Sequence, residues 1–441
     1  MKRDSQALQA REHDLLVIGG GIAGAWTVWE AASRGLRAAL IELNDFGQAT
    51  SWSSLKTAHG GLRHLQRLDI AGFRESVRER RALLRVAPEI VRPLGFAIAA
   101  ASEIERVKFL LGGLVNDALS FDRNEGVRTD RFLGVSRLLN PAEAEALAGP
   151  ALAGHRAFVW QDAQVTHTER LLMGLLHAAV AAGASVINRC RVDQASRTDD
   201  GFELQAQDTM DGSALRIRTQ SIVNAAGSGV EAVAGLLRET CGSPALIRGV
   251  NVVMGRSVGP DVAIGAKDQG RFLFIAPWLG RSILGTIYDD GRGPVGPRID
   301  ELIRAGARAF PWAGLTQADI TSVHEGHVPG AENGEPVYRS RIIRHANPRV
   351  LSILTAKYTT ARATAEQAVT RLGGALSKRI DPSFSASQVL PMATPLTGSF
   401  SDRLRYAEEH EMALDPGDAL RGRLIEGAFG ETGRAEVQRQ L

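Results

Sequence analysis

The sequence is poor in several residue types that would point to particular classes of protein. Only six of its 52 basic residues are lysine, aromatic residues make up 5%, and the net charge is +3 over 441 residues. A nucleic-acid-binding protein would combine a concentrated basic surface with aromatic side chains for base stacking. The pI near 9.0 therefore does not by itself indicate one, and we expect no nucleic acid partner.

Cysteine and long apolar runs are also scarce. Cys190 and Cys241 lie far apart and form neither a CxxC pair nor a metal-binding spacing, which argues against a disulfide framework and favours a reducing compartment. The longest apolar run, 171–180, is interrupted by Gly174 and His177, and the first twelve residues are polar. These features predict a cytoplasmic protein with no signal peptide, transmembrane helix or metal site.

The first recognisable unit is a strand, a glycine-rich turn, a helix and a second strand near the N-terminus. The apolar run 14–18 fits a buried parallel strand and leads directly into the turn 19–24. Apolar residues then recur at helical spacing over 22–34, and the second strand, 37–42, ends in an acidic residue. A βαβ unit with G-x-G-x-x-G and a terminal acid is the fingerprint of dinucleotide binding.

Each residue of this fingerprint has a physical role. Gly19 allows the tight turn, Gly21 lets the backbone approach a pyrophosphate, and Gly24 lets the helix pack closely on the strand. The helix N-terminus offers free N–H groups and a positive dipole to the phosphates, and Glu42 can accept a hydrogen bond from a ribose hydroxyl. FAD and NAD share this arrangement, so the fingerprint does not separate them.

The stretch 44–63 favours the larger cofactor. It is rich in Gly, Ser and Thr, carries basic residues, and is much longer than a plain connection of roughly 2 to 6 residues. Its composition suits a backbone that lies against a second part of a cofactor, although a solvated loop is the alternative. A second G-x-G-x-x-A cluster, 227–232, with Arg248 about 20 residues on, leaves an NADP site as a competing interpretation.

Together these segments resemble the FAD-dependent glycerol-3-phosphate dehydrogenases and oxidases, within the D-amino-acid-oxidase-like flavoprotein superfamily. The resemblance runs in order from about residue 14 to 369, and its HGGLR and K-x-T-T elements are fairly specific. The motifs are Ile18-Gly-Gly-Gly-Ile-Ala-Gly24, Ala49-Thr-Ser51, Lys56 with His59-Gly-Gly-Leu-Arg63, Asn224-Ala-Ala-Gly227, Ile275-Ala-Pro-Trp278 with Leu284-Gly-Thr286, and Lys357-Tyr-Thr-Thr360 followed by Arg362.

The resemblance implies an α/β fold with an FAD-binding, Rossmann-like domain of the glutathione-reductase type and a mixed or antiparallel β-sheet substrate domain. At about three times the ~150 residues of one domain, the chain is long enough for both. We expect the FAD-binding domain to comprise 1–95, 160–245 and 346–380, and the substrate domain 96–159 and 246–345. A short helical tail, 381–441, is expected to be a solvated cap or an oligomer contact.

The residues themselves predict four further elements. These are a helix over 171–182, a third parallel strand of the nucleotide-binding sheet over 184–187, a β-meander over 191–218, and a helix over 359–372 that begins with hydroxyl residues.

The resemblance also implies which residues form the site. Lys357 and His59 are the catalytic candidates, Lys357 as a cation facing the flavin or as a substrate contact and His59 as a proton acceptor or a packing residue. The substrate candidates are Asn251, Arg271, Thr286, His327 and Lys357. The residues expected at the FAD are Gly19, Gly21, Ile22, Ala23, Gly24, Glu42, Thr50, Ser51, Ser54, Lys56, His59, Gly60, Gly61, Leu62, Ala226, Gly227, Lys357, Tyr358, Thr359 and Thr360.

The substrate side departs from the family pattern. The family's phosphate-binding arginine in a G-x-R-P element is Val328 here, and a family histidine in the strand after the Asn-Ala-Ala-Gly turn is Asn251. The leading hypothesis is oxidation of a CH–OH group of glycerol 3-phosphate or a related polar hydroxy compound. Electrons would pass to quinone, oxygen or a protein carrier, and association with the inner face of a membrane stays open. The alternatives are an amine or amino-acid oxidase and a non-catalytic flavin-binding protein.

Overall fold

The computed structural model of the protein describes residues 1–242, 244–392 and 394–430. Its strands are β1 (Leu15–Ile18), β2 (Ala38–Ile41), β3 (Thr57–Ala58), β4 (Val91–Ala100), β5 (Arg137–Leu139), β6 (Arg156–Val165), β7 (Ser185–Ile187), β8 (Cys190–Arg197), β9 (Phe202–Asp208), β10 (Ala214–Thr219), β11 (Ile222–Asn224), β12 (Leu246–Met254), β13 (Ala263–Asp268), β14 (Arg271–Trp278), β15 (Arg281–Asp289), β16 (Ile320–Pro329), β17 (Arg341–Arg344) and β18 (Val350–Leu354).

Most of the α-helices lie between these strands, and the last three helices follow the final strand. They are α1 (Ser5–Gln9), α2 (Ile22–Ser33), α3 (Leu62–Leu65), α4 (Ile70–Val86), α5 (Glu103–Leu119), α6 (Pro141–Ala148), α7 (Thr168–Ala181), α8 (Val230–Leu236), α9 (Gly296–Ala309), α10 (Ala361–Ala375), α11 (Phe400–His410) and α12 (Pro416–Gly422).

A six-stranded sheet in the order β17-β18-β11-β1-β2-β7 forms the nucleotide-binding layer. All of its pairs are parallel except β17–β18. The predicted βαβ unit is confirmed as β1, α2 and β2, and the predicted third parallel strand is β7. Helix α2 packs against α7 and α10, where Trp26 and Trp29 are almost fully buried. The chain returns to this sheet from distant segments, so the carboxyl ends of its strands gather residues far apart in sequence.

Two further sheets complete the α/β architecture, which confirms the expected fold class. The predicted meander is a three-stranded antiparallel sheet, β8-β9-β10. The third sheet is largely antiparallel and runs β16-β12-β15-β14-β13-β4-β6-β3, with β5 paired to β6. The expected domain boundaries at 95/96 and 159/160 fall inside β4 and β6, which both belong to this sheet. The division into domains stays a proposal, and a division by sheet would keep both strands whole.

The C-terminal segment packs on the nucleotide-binding layer through buried ion pairs. Arg423, which is 1% exposed, donates two 2.8 Å hydrogen bonds to the Asp45 carboxylate in the loop after β2. Arg170 in the first turn of α7 donates to both carboxylate oxygens of the equally buried Glu411. The described part of the expected tail is therefore fastened to the body of the protein, and residues 431–441 lie outside the described residues.

Helix α5 presents an apolar face to solvent. Ile104, Leu110, Leu111 and Leu114 on this helix are each at least half exposed, and Leu68 in the α3–α4 connection is 85% exposed. Among the described residues, no helix is both long and apolar enough to traverse a bilayer.

Candidate functional site

A cavity of 1310 Å³ extends between the six-stranded and the nine-stranded sheet. One wall consists of the loops that follow β1, β2, β11 and β18 at their carboxyl ends, where ligands bind in open α/β sheets. The other wall consists of residues of β12, β15 and β16. The volume exceeds the roughly 300–1,000 Å³ of an ordinary small-molecule site, so the cavity has room for an extended cofactor together with a substrate.

The glycine turn after β1 is shaped by contacts that exclude a side chain. Gly19 has φ +114°, and a Cβ there would lie 2.6 Å from the carbonyl oxygen of Ala225. A Cβ at Gly24 would lie 1.9 Å from the carbonyl oxygen of Gly19. Helix α2 begins directly after Gly21, which has no side chain to cap the helix, and its first turn carries no acidic residue. Its N-terminus is therefore suited to a phosphate group.

The acidic residue at the end of β2 lies beside this turn. The carboxylate of Glu42 accepts hydrogen bonds from the backbone N–H groups of Gly20, at 2.5 Å, and Asn44, at 2.8 Å. Burial raises the pKa of Glu42, while these two bonds act in the opposite direction. Glu42 lines the cavity at the position expected of a ribose-binding residue.

The loop after β2 connects the two walls of the cavity. The Thr50 hydroxyl accepts from the backbone N–H of His327 at 2.9 Å and donates to the His327 carbonyl at 3.1 Å. The Ser51 hydroxyl accepts from Ile22 N–H at 2.9 Å, at the start of α2. Ser51 and Ser54 both line the cavity. The predicted Ser/Thr-rich segment thus lies against the nucleotide-binding turn on one side and β16 on the other.

Lys56 is buried behind this loop and does not line the cavity. Its Nζ donates to the Trp52 carbonyl at 2.7 Å and to the Thr168 hydroxyl at 2.6 Å. Burial lowers the pKa of Lys56 to about 8, and Glu169 acts in the opposite direction. These contacts make Lys56 a support for the loop.

His59 lines the cavity with both ring nitrogens already bonded. Its Nδ1 lies 3.1 Å from the Asp162 carboxylate and its Nε2 lies 2.9 Å from the Thr57 hydroxyl. Burial alone would raise the pKa of Asp162, but the His59 hydrogen bond and the Arg80 guanidinium hold it well below its usual range. Because Asp162 also accepts from Gly60 N–H at 2.7 Å, it fixes the backbone and the imidazole of this motif together.

Lys357 lies on the cavity wall between the end of β18 and the start of α10. Its Nζ lies 2.7 Å from Nε2 of His64, and burial lowers the pKa of Lys357 to about 8. Tyr358 and Thr359 also line the cavity, and the Tyr358 hydroxyl donates to the Thr168 carbonyl at 2.8 Å. Helix α10 begins at Ala361, two residues later than the hydroxyl residues had indicated, because Thr359 and Thr360 belong to the turn that precedes it.

The opposite wall carries the expected substrate residues of the nine-stranded sheet. The Thr286 hydroxyl donates to Asn251 Oδ1 at 2.6 Å, and both residues line the cavity with His327 and Val328. Arg271 lies elsewhere, at the start of β14. Its guanidinium is bonded to Glu301 of α9 at 2.9 Å, and Arg271 does not line the cavity.

The cavity gathers most of the predicted site residues. The predicted residues that line it are Gly19, Gly21, Ile22, Ala23, Glu42, Thr50, Ser51, Ser54, His59, Gly61, Leu62, Ala226, Gly227, Asn251, Thr286, His327, Lys357, Tyr358 and Thr359. Those that do not are Gly24, Lys56, Gly60, Arg271 and Thr360.

The second glycine cluster belongs to the same cavity. Gly227 and Gly229 line it, because β11, which precedes them, pairs directly with β1 in the six-stranded sheet. Arg248, which was considered as a contact for a 2′-phosphate, is 4% exposed and donates two hydrogen bonds to Asp289, at 3.0 and 2.7 Å. The cluster therefore completes the first nucleotide site, and Arg248 forms an ion pair with Asp289 within the nine-stranded sheet.

Comparison with known proteins agrees with this geometry. The sequence profile of the FAD dependent oxidoreductase family matches residues 14–371. The chain belongs to that family. It is 30% identical to a glycerol-3-phosphate dehydrogenase of Synechocystis over 426 residues, covering 89% of this chain and 75% of that protein. It is 29% identical to an aerobic glycerol-3-phosphate dehydrogenase of Staphylococcus saprophyticus, covering 86% and 69%.

The structural comparison gives the same fold. The glycerol-3-phosphate dehydrogenase from Bacillus halodurans complexed with FAD superposes with a TM-score of 0.65 at 22% identity, covering 97% of this chain and 77% of that one. The chain spans between 60% and 75% of the length of the curated relatives it matches. The protein is thus an FAD-dependent oxidoreductase, and the glycine turn, the open start of α2 and Glu42 fit the adenosine diphosphate half of FAD.

Sequence reasoning missed several residues that line the cavity or, like His64, lie directly behind its wall. His64, Asp162 and Tyr338 were not predicted, and Arg63 was quoted only as part of a motif. Arg63 donates to the Tyr338 hydroxyl, and its guanidinium lies 5.5 Å from the Tyr338 ring centroid. The signal for His64 was its place directly after HGGLR, but its partner Lys357 is 293 residues away, so only the fold brings them together.

Proposed function

We propose that the protein oxidises the CH–OH group of glycerol 3-phosphate or a related polar hydroxy compound. Bound FAD supplies the hydride acceptor for such a reaction, and the protein supplies orientation and electrostatics. The observation that carries the proposal is the placement of Lys357 on the wall opposite the Asn251–Thr286 pair. The relatives named above, which act on glycerol 3-phosphate by their names, support the same substrate class.

Three kinds of group around the cavity fit a polar hydroxy compound. Lys357 and the Asn251–Thr286 pair can hydrogen-bond hydroxyl groups, since an ammonium donates and an amide and a hydroxyl do both. His327 and Arg63 lie on the cavity wall where an anionic group would need a partner. A buried hydroxyl-binding site of this kind rejects analogues that lack the hydroxyl, because its polar groups would be left unpaired.

Arg63 is our candidate for the phosphate anchor. Val328 stands where the family has its phosphate-binding arginine, so another cation must serve a phosphorylated substrate. Arg63 lines the cavity and is exposed, and its bond to Tyr338 keeps the guanidinium beside Lys357, whose Nζ lies 5.6 Å from the same ring. A guanidinium and an ammonium beside the same ring on the cavity wall form a site for a doubly charged phosphate group.

Anaerobic bleaching of the purified, FAD-loaded protein tests the proposal. We expect glycerol 3-phosphate to remove the absorbance of oxidised flavin in the absence of oxygen, and glycerol to do so far less efficiently. A flavin that stays oxidised across a panel of phosphorylated polyols and 2-hydroxy acids would contradict the proposal. Peroxide release with amines or amino acids, but not with alcohols, would assign the protein to the amine-oxidising branch of its fold.

We further propose that an apolar electron acceptor approaches the cavity beside α5. Leu68, Ile70, Leu111 and Val115 line the cavity and are exposed, so they form an apolar rim that a quinone or a membrane surface could contact. Oxygen would have no need of such a rim, whereas a protein carrier could also dock on it. Steady-state rates with a short-chain quinone and with ferricyanide separate these cases, because Leu111→Glu should lower only the quinone rate.

A further inference from the structure

Lys357, His64 and Asp69 form a continuous line of hydrogen bonds that starts at the cavity wall. Lys357 Nζ lies 2.7 Å from His64 Nε2, and His64 Nδ1 lies 2.9 Å from the Asp69 carboxylate. Lys357 faces the cavity, whereas His64 is 5% exposed and does not line it. The histidine can therefore reach a bound substrate only through the lysine.

The chemistry of the three groups fixes the state of the histidine. A carboxylate only accepts hydrogen bonds, so Nδ1 of His64 must carry the hydrogen that faces Asp69. Nε2 is then left with its lone pair and accepts from the Lys357 ammonium. Burial and the nearby Lys357 charge lower the pKa of His64 below its usual 6.5, which keeps this neutral form at pH 7.

The surroundings hold this line in place. Asp69 caps helix α4 by accepting from Gly72 N–H at 3.0 Å, and its carboxylate is paired with Arg339. The Arg339 hydrogen bond holds the pKa of Asp69 well below its usual range. Gly72 is required here, because a Cβ at that position would lie 2.4 Å from the Asp69 carboxylate and 2.7 Å from His64 Nδ1.

The other groups on the cavity wall are less suited to take up a proton. Asn251 has no basic nitrogen, and its Oδ1 already accepts from Thr286. His59 and His64 each have one nitrogen bonded to a carboxylate, but Nε2 of His59 faces the neutral Thr57 hydroxyl, whereas Nε2 of His64 faces the Lys357 ammonium, which carries a proton that can move to it. We propose that the substrate hydroxyl proton leaves through Lys357 to His64, a positioning residue that works through Lys357 and is oriented by Asp69. This inference rests on the proposed oxidation of a CH–OH group.

The step balances with the oxidised flavin as electron acceptor. The substrate C–H bond breaks and its electron pair leaves with the hydride, while the O–H bond breaks and the C=O bond forms. The hydroxyl proton bonds to Lys357 Nζ as the Nζ proton facing His64 moves to Nε2. Lys357 therefore begins and ends as an ammonium, and the proton rests on an imidazolium beside the Asp69 carboxylate.

The pKa values of Lys357 and His64 should set the pH dependence of substrate oxidation. Burial lowers the pKa of Lys357 to about 8, so an isolated Lys357 could accept a proton only above that pH. With His64 behind it, the relay works down to the lower pKa of the histidine. Further titratable or charged groups that face the line are Arg63 of α3, Glu75 of α4, Asp162 of β6, Arg339 before β17, and Tyr338, whose ring contacts both Lys357 and His64.

His64→Gln is the central test, with His155→Gln on the exposed surface as the matched control. Glutamine can accept from Lys357 and donate to Asp69, but it cannot take up a proton. For flavin reduction by glycerol 3-phosphate we expect a fall of about 10²-fold in kcat at pH 7 with little change in KM. The acidic limb of the pH profile should move from below 6.5 to about 8. Asp69→Asn, which keeps the helix cap, should lower kcat similarly.

His64→Ala and imidazole separate proton transfer from folding. Added imidazole should restore part of kcat in His64→Ala, because the truncated side chain leaves space for the same acceptor, and should leave wild type unchanged. Flavin content and the circular dichroism spectrum show whether either variant is folded. A merely structural histidine would not give a rescue that follows the pKa of free imidazole.

The reactivity of Lys357 can be measured without turnover, because the chain has only six lysines and each can be followed separately. Pulsed acetylation followed by mass spectrometry reports the reactivity of each of the six lysines against pH. His64→Leu should lower the apparent pKa of Lys357 by about one unit, since it removes a hydrogen bond that favours the ammonium. Lys2, an exposed lysine that does not line the cavity, serves as the internal control.

The outcomes distinguish this inference from the proposed function. If wild type is not bleached by any hydroxy compound, the proposed function fails, while the acetylation experiment still reports on the Lys357–His64 contact. If wild type is bleached but His64→Gln keeps its kcat and pH profile, the inference is overturned. Loss of activity in His59→Gln alone would give the proton to His59 instead.

Discussion

The nucleotide-binding end of the cavity and its substrate end differ in how far apart along the chain their contacting residues lie. At the nucleotide end, Gly20 contacts Glu42 and Ile22 contacts Ser51, over 22 and 29 residues. At the substrate end, Lys357 contacts His64 over 293 residues. The first end is built largely from one local segment, which residues 225–229 complete, whereas the second depends on the correct assembly of both sheets.

The nucleotide end should tolerate substitution least, and Gly24→Ala should show this with the largest effect. The new Cβ would lie 1.9 Å from a backbone oxygen, which no side-chain movement can relieve. We expect a loss of at least about 3 kcal/mol in the free energy of unfolding and no retained FAD. Thermal unfolding and flavin absorbance measure both.

Gly374→Ala in α10 is the matched control, since a Cβ there has no described neighbour within 4 Å. It should be neutral or stabilise by up to about 1 kcal/mol. Normal stability and flavin content in Gly24→Ala would show that the contact between α2 and the turn is not required.

The link between the C-terminal segment and the nucleotide end should be the next most sensitive feature. Arg423→Met leaves the Asp45 carboxylate buried without its partner, which we expect to cost about 3 kcal/mol in the free energy of unfolding. Denaturant unfolding measures this loss. The double variant with Asp45→Asn should recover a large part of it, and equal losses in the single and double variants would contradict the pairing.

At the substrate end, Lys357→Met should separate catalysis from assembly. Loss of the cation facing the cavity should reduce kcat by about 10²-fold or more, with flavin content and thermal stability retained. Stopped-flow flavin reduction checks the rate. Lys2→Met, on the exposed N-terminal segment, should match wild type. Loss of FAD in the Lys357 variant would place this residue with the nucleotide end instead.

Lys56, the buried lysine behind the loop, should make the stability of the protein depend on pH. The pKa of Lys56 is about 8 in the folded protein and near 10.5 when unfolded. Between these values the unfolded state binds the extra proton, so stability should rise with pH from about 8 to 10.5. Lys56→Met should reduce this rise by about 2 kcal/mol. Parallel stability curves for wild type and variant would show that Lys56 does not titrate in this window.

Val328→Arg should give the smallest effect and would sharpen the comparison by changing only the substrate end. An arginine at this cavity position can bind phosphate through two parallel hydrogen bonds. We expect the KM for glycerol 3-phosphate to fall about 10-fold while that for unphosphorylated glycerol is unchanged. Initial rates over a range of each substrate test this, and equal changes for both would mean that the side chain does not meet the phosphate.

Much of the fold was predictable because its signals are local. The βαβ unit with its glycine turn and Glu42, and the meander, follow from strand length, glycine spacing and helical periodicity within short windows, and most other FAD-side residues follow from the family resemblance. The sequence predicts a helix that starts at Leu171, whereas α7 begins at Thr168, because the polar residues Thr168, Glu169 and Arg170 do not continue the apolar pattern. They are buried in its first turn, because Arg170 finds Glu411 241 residues away.

The substrate end was predictable only as a set of candidates. Arginine is so frequent that no pattern could show that Arg271 pairs with Glu301, that Arg248 pairs with Asp289, or that Arg63 faces the cavity. The role of His64 could not be predicted either, because it depends on the partners of the imidazole, and one of them, Lys357, comes from a distant element.

The two hydrogen bonds between Thr50 and His327 carry a further consequence. They fasten the loop that lies over the cofactor position to the strand that forms the substrate wall, so ordering one end restrains the other. We therefore expect the FAD-loaded protein to bind substrate more tightly than the cofactor-free protein. By thermodynamic reciprocity, bound substrate should increase the affinity for FAD by the same factor.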